Sequence, residues 1–363
     1  MAVPHLYMIE ESANFSLTVE PFLPQLLDLP AQLSTVDSVG SLLQIYVETN
    51  PLVSGFSMSL AIAVITFFIS TINRNWSQID RLWSILPAFY AGHFSLWARL
   101  AGIQASRVHL AWAFTIIWSA RLTYNYWRKG GYTIGSEDYR WPIVRRYLPT
   151  IVQIVFNLVF VSFIQSILLY ALTVPIYSML LTSKFEDKAM SGDIFFYVLE
   201  LLLIFTEGIA DQQQWDFQNA KQEYLKTAKV PTGFTQMELD RGFLASGLWA
   251  YSRHPNFACE QMIWFCLFQW SCFSSKTVFS WTGAGPIFLI MLFQGSTWLT
   301  ELLSAQKYPE YVYYQRKVAM FIPIWPTGYS PPNQKPKVIR TSELEKRADK
   351  VSEQTEGIRK RAV

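Results

Sequence analysis

Between residues 52 and 300 the chain alternates long apolar runs with short polar clusters. Residues 52–72 carry no charge and are long enough for the roughly 30 Å of hydrocarbon in a bilayer. Six more runs follow, at 82–98, 110–127 with Arg121 inside it, 151–181, 194–210, 257–273 and 278–300. Their apolar residues are continuous and do not alternate with polar ones, which predicts helices and argues against a membrane β-barrel. The expected fold is therefore all-α, a polytopic membrane bundle of about seven helices, with Pro175 as the place for a re-entrant turn in the 151–181 run. Around this transmembrane domain, 51–326, lie an acidic amino-terminal segment, 1–50, and a polar tail, 327–363, which reads as disordered.

Composition supports that class. Hydrophobic residues make up an ordinary 51%, but charged residues make up only 16%, against about 25% in soluble domains. A soluble fold of this length would need the missing charge to cover its surface. Cys259, Cys266 and Cys272 share one apolar run without metal or disulfide spacing, and read as small packing residues. His5, His93, His109 and His254 are scattered, so no metal site is expected. There is no P-loop and no GxGxxG, so a nucleotide would be held in another way.

The distribution of charge predicts orientation. Residues 1–73 contain no Lys or Arg but six acids, Glu10, Glu11, Glu20, Asp28, Asp37 and Glu48, while the whole chain is net +3. Cytoplasmic loops hold the excess of Lys and Arg, so the amino-terminal segment is expected on the non-cytoplasmic side. Counting spans onward puts 128–149, 211–255 and everything after Glu301 in the cytoplasm. The first of these carries Arg128, Lys129, Arg140, Arg145 and Arg146, in agreement, whereas Arg99 and Arg107 run against the count. No cleavable signal peptide is recognised, and the first span is expected to serve as the anchor. Asn14-Phe15-Ser16 is a glycosylation acceptor pattern, and a glycan there requires a lumenal segment.

Candidate chemistry gathers where polar groups border the spans. Tyr251-Ser-Arg253-His254-Pro255-Asn256 precedes the 257–273 run, and Pro255 suits the first turn of a helix. Arg253, His254 and Asn256 would then meet at a helix amino terminus, which favours anionic groups. Glu260 follows Asn256 by one turn, on the same face. Glu200, Glu207 and Asp211 form one helical stripe, and like charges so stacked call for cations or ligand hydroxyls. A bland reading pairs these acids with Arg253. A third cluster, Arg121 to Gly131 and on to Trp141, includes Tyr124 and has the composition of an interfacial belt as well as of a site. Glu301, with Tyr308-Pro309-Glu310-Tyr311, Tyr314, Arg316 and Lys317, is a polar helix end able to close over a cofactor.

Gly247-Leu-Trp-Ala-Tyr-Ser-Arg-His-Pro-Asn-Phe257, Glu137-Asp-Tyr-Arg-Trp141, Ala210-Asp-Gln-Gln213, Tyr308-Pro-Glu-Tyr311 and Phe321-Ile-Pro323 together resemble the steroid 5-alpha-reductase superfamily, in its uncharacterised branch. The resemblance runs from about Arg81 to Pro323. Arg253 to Phe257 and the region from Glu301 to Pro323 are also similar to isoprenylcysteine carboxyl methyltransferases. The reductase resemblance implies NADPH in a cavity of the carboxy-terminal helices, open to the cytosol. It places Asn256 and Glu260 at the nicotinamide end and Asp211 on cofactor hydroxyls, with Tyr251, Arg253, His254, Glu301 and Arg316 completing the cofactor set. The chain departs from the family's pattern at Glu207, Phe257, Cys259 and Gln218. Gln218 stands where an Arg would meet a 2′-phosphate, a role left to Arg253, Lys221, Arg316 or Lys317.

Reduction of an activated C=C bond needs a positioned hydride donor and an acid for the enolate. The reductases' Tyr–Glu pair on the amino-terminal helices has no matching motif here, which leaves Tyr90, Tyr124 and Glu207 as catalytic candidates. The implied function is NADPH-dependent reduction of a lipid or sterol-like substrate. The alternatives are an S-adenosylmethionine-dependent methyltransferase and a non-catalytic lipid-binding protein. The expected partners are the bilayer and a hydrophobic small molecule, with no nucleic acid and no obligate protein partner. An endoplasmic reticulum membrane fits a lumenal amino terminus and a cytosolic carboxy terminus.

Overall fold

The computed structural model describes residues 2–323, 328 and 329. The expected tail, 327–363, therefore lies outside the described residues apart from Gly328 and Tyr329. The described chain is helical, and its single ladder contact is an isolated parallel bridge between Ser252 and Ala319. It divides into two compact units, Met1–Ile204 with Gln261–Met291, and Phe205–Glu260 with Leu292–Val363.

Three described helices are long and apolar enough to cross a bilayer, Pro51–Ile72, Thr150–Thr182 and Trp281–Lys307. The remaining expected spans are helical but shorter or more polar: Leu86–Leu100, Ser106–Arg128, Ser191–Thr227 and Pro255–Ser274. The 82–98 run breaks because Gln78–Leu82 ends a short helix and the next begins at Leu86 with Pro87 in its first turn.

Pro51–Ile72 shows why lipid suits the first unit. It buries Gly55, Ser59, Ala63, Thr66 and Ser70, and exposes Val64, Ile65, Phe68, Ile69 and Ile72. A helix in water would present the opposite faces. Small residues let helices approach closely, and the hydroxyls bond back to carbonyls of their own helix, Thr66 to Ile62 at 2.9 Å and Ser70 to Phe67 at 3.0 Å. Between Thr150 and Thr182 the helix passes through a π-helical stretch, Asn157–Ile164, and is interrupted after Ala171. Leu172 and Thr173 keep right-handed helical dihedrals and Val174–Thr182 follows with Pro175 in its first turn, so Pro175 marks a kink and not a re-entrant turn.

Large aromatics fill the interior of this unit. Trp118 meets Trp264 edge-on at 5.0 Å, and Tyr90 meets Tyr170 at 5.2 Å. Arg107, which ran against the charge count, is buried with its Nε shared between the two oxygens of Asp193 at 3.0 and 2.9 Å, and its Nη2 donates to Glu186 at 2.7 Å. Trp270 Nε1 donates to the same Asp193 at 2.8 Å.

Candidate functional site

The second unit builds its site around the loop 247–254. Gly247 has φ +62°, a left-handed conformation that glycine adopts without strain. The loop lies against the Phe205–Thr227 part of its helix, where Leu248 N donates to Gln213 Oε1 at 3.0 Å and Trp249 Nε1 to Ala210 O at 3.2 Å. On its other side Tyr314 donates its hydroxyl proton to Trp249 O, and Tyr329 N donates to Ala250 O at 2.8 Å. Arg253 N and His254 N donate to Ala319 O at 2.9 Å and Met320 O at 3.1 Å. These bonds deliver the chain to Pro255, which opens the helix Pro255–Ser274 as its composition predicts.

Arg253 does not face an incoming anion. Its Nε and Nη2 donate to the two oxygens of Glu301 at 2.6 and 2.9 Å, and its Nη1 donates to Gln315 O at 2.9 Å and to Val318 O. Glu301 also accepts from Gln315 Nε2 and lies 3.0 Å from His254 Nε2. All three charged or ionisable groups are buried. The carboxylate that neutralises Arg253 is thus Glu301, where a bland reading would have chosen an acid of the 200–211 stripe. The cluster ties loop, helix end and the 315–320 segment into a rigid floor.

Beside that floor, Asn256 Nδ2 donates to Asp211 Oδ1 at 3.3 Å. The contact fixes the amide's orientation, because the reverse would set its oxygen against a carboxylate. Asn256 Oδ1 is then a buried acceptor with no hydrogen-bond partner among the described residues. Glu207 and Asp211 are both 4% exposed, on successive turns of one helix, and Glu260 is buried one turn into the next. Tyr251 and Arg316 are exposed, so neither is held in place by packing. Lys221 Nζ is committed to Gly242 O at 2.6 Å and Tyr308 Oη at 2.8 Å. Burial would raise the Tyr308 phenol, but Lys221 overrides it and holds the phenol below its ordinary pKa.

Asp211, Asn256, Glu260, Glu207, Arg253, His254 and Glu301 thus fall in one unit. Tyr90, Tyr124 and Glu200 belong to the other. Tyr90 is fully buried, and its hydroxyl has no hydrogen-bond partner among the described residues. Tyr124 is 57% exposed on an open groove of about 610 Å³ that it shares with Ile85, Ile116, Thr123, Trp127 and Tyr132. Gln315 and the carbonyls that receive Arg253 carry no sequence signal, since every residue owns a backbone acceptor.

The chain matches the family described as Protein of unknown function (DUF1295) over residues 66–318. It belongs to the DUF1295 family. This DUF1295 protein is 37% identical over 329 residues to an uncharacterized protein of the fission yeast Schizosaccharomyces pombe, covering 88% of this chain and 93% of the relative. No solved structure matches it. The family match takes in every candidate site residue and leaves out residues 1–65.

Proposed function

We propose that this DUF1295 protein is a polytopic membrane oxidoreductase, related to the steroid 5-alpha-reductases, that reduces an activated C=C bond of a lipid or sterol-like substrate with NADPH. The observation that carries the reading is the orphaned Asn256 Oδ1 beside Asp211. A buried acceptor without a donor costs about 1–3 kcal/mol, and a primary carboxamide supplies the missing N–H. The residues present fit the nicotinamide end of the cofactor in that respect. Asn256 would orient the carboxamide, Asp211 would accept from ribose hydroxyls, and Glu260, one helical turn after Asn256, would stand at the same end. NADPH supplies the hydride when bound.

Arg253 plays no part in phosphate binding on this reading. Its guanidinium holds Glu301 and two carbonyls, and through them the segment that frames Asn256. Lys221 is likewise engaged, so the exposed Arg316 and Lys317 are the cations left for phosphates. Glu207, buried one turn before Asp211, stands as the candidate proton donor. The site opens to the cytosol, and the membrane is that of the endoplasmic reticulum.

Thermal unfolding of the detergent-purified full chain tests the proposal. A ligand at about 100 times its Kd adds about 2.7 kcal/mol to the folded state, so saturating NADPH raises the unfolding temperature and Asn256→Ala abolishes the rise. Stabilisation by S-adenosylmethionine alone would overturn it in favour of methyl transfer.

A further inference from the structure

The helix Pro51–Ile72 has a differently built cluster at each end. Asn50 Nδ2 donates to Tyr177 Oη at 2.9 Å, and Tyr177 in turn donates to Thr18 O at 2.9 Å. The same end holds Phe15 against Trp281 at 5.4 Å and Lys184 Nζ on Pro4 O at 3.3 Å. Two of its cations are paired with acids, Arg107 with Asp193 and Glu186, and Lys276 with Glu186 at 3.0 Å. At the other end Asn75 Nδ2 and Arg81 Nη2 donate to Ser136 O at 2.9 and 2.7 Å, and Trp141 Nε1 donates to Asp80 at 2.8 Å. Arg145 pairs there with Glu137 and Arg140 with Asp138 at 2.8 Å, and the sequence adds Arg74, Arg128, Lys129 and Arg146 to the same polar segments. Twenty-two residues separate the two ends, about 33 Å at 1.5 Å per residue, the depth of a bilayer core.

Each end carries an Asn-x-Ser acceptor, Asn14-Phe15-Ser16 at the first and Asn75-Trp76-Ser77 at the second. The two differ in what their amide nitrogens do. Asn14 is exposed, and its Oδ1 accepts from Ser16 N at 3.0 Å, while its Nδ2 has no hydrogen-bond partner among the described residues. Asn75 Nδ2 is bound to Ser136 O, and Trp76 and Ser77 are buried. A sugar on Asn75 would break that bond and open the basic cluster. The acceptor that can carry a large polar group is also the one on the acid-rich end, where the excess of Lys and Arg does not lie.

We propose that Asn14 is an N-glycosylation site and that Asn75 is not. The donor is a lipid-linked oligosaccharide pyrophosphate. The amide nitrogen of Asn14 forms a bond to the anomeric carbon as the C–O bond to the lipid pyrophosphate breaks, and the amide proton leaves with the departing phosphate. The modification rests on the lumenal orientation of the amino-terminal segment, and not on the reductase chemistry.

The full chain made in eukaryotic cells tests this directly. Treatment with an N-glycan-removing amidase increases its gel mobility by one glycan, and a glycopeptide maps to Asn14 in the unmutated protein. Asn14→Gln and Ser16→Ala abolish the shift, while Asn75→Gln and Ser16→Thr keep it. No shift in the unmutated chain, or a shift lost in Asn75→Gln, overturns the proposal. An epitope placed ahead of Met1 and digested by protease in sealed microsomes would overturn the orientation together with it. A protected epitope without a glycan removes the modification alone, and the NADPH response decides the reductase reading independently.

Discussion

Arg253 and Glu301 show how a charged pair is made tolerable in a buried place. Six contacts involve the guanidinium and carboxylate of this pair, two between the partners and four from Gln315, Val318 and His254. Removing one member of such a pair leaves an uncompensated buried charge, at about 3–5 kcal/mol, whereas removing both is often far less damaging. Arg253→Met and Glu301→Leu are each expected to destabilise the detergent-solubilised protein by about that amount, and the double variant by less than either single one. Denaturant unfolding of all three measures the coupling. At Asn256, by contrast, substitution costs little stability because one of its two polar atoms already lacks a partner.

At the scale of elements, the close approach of Gly285 matters most. A Cβ there would meet the backbone of Ala171 and stand 2.9 Å from Leu172 N, at the interruption in the 150–182 helix. Backbone has no flexible end to move aside. Gly285→Ala is expected to cost about 1–3 kcal/mol of stability, read as a lowered unfolding temperature with NADPH absent. Helices proved the most legible feature of the sequence, because an uncharged run such as 52–72 admits little else. Their breaks were less so. Pro87 and Pro175 were visible as residues, but whether a proline opens a helix or turns the chain depends on neighbours such as Leu172 and Thr173, whose dihedrals no local pattern encodes.

Across the first unit as a whole, Arg107 gathers Glu186 and Asp193, and Lys276 joins Glu186, so three separate stretches share one ion network. Hydrogen bonds from Arg107 and Lys276 hold the Glu186 carboxyl below its ordinary value of 4.5. A carboxyl lowered in the folded state contributes stability that is complete above its unfolded value and is lost as pH falls through the folded one. The unfolding temperature is therefore expected to drop as pH falls below 4.5, with a shallower drop in Glu186→Gln. This network accounts for the basic residue that ran against the charge count: Arg107 is balanced where it lies. The candidate site was legible in part. Asp211, Asn256 and Glu260 stood out because ionisable and amide groups are scarce in apolar runs, but the partner of Arg253 did not, since Glu301 lies 48 residues away and spacing says nothing about such a meeting.

The bonds that Ala319 and Met320 make to the loop at 253–254 set a limit on where this protein can end. A stop codon ahead of Val318 deletes three carbonyls on which Arg253 and His254 depend, and with them the frame around Asn256. Allelic variants truncated after Tyr329 retain every one of those anchors.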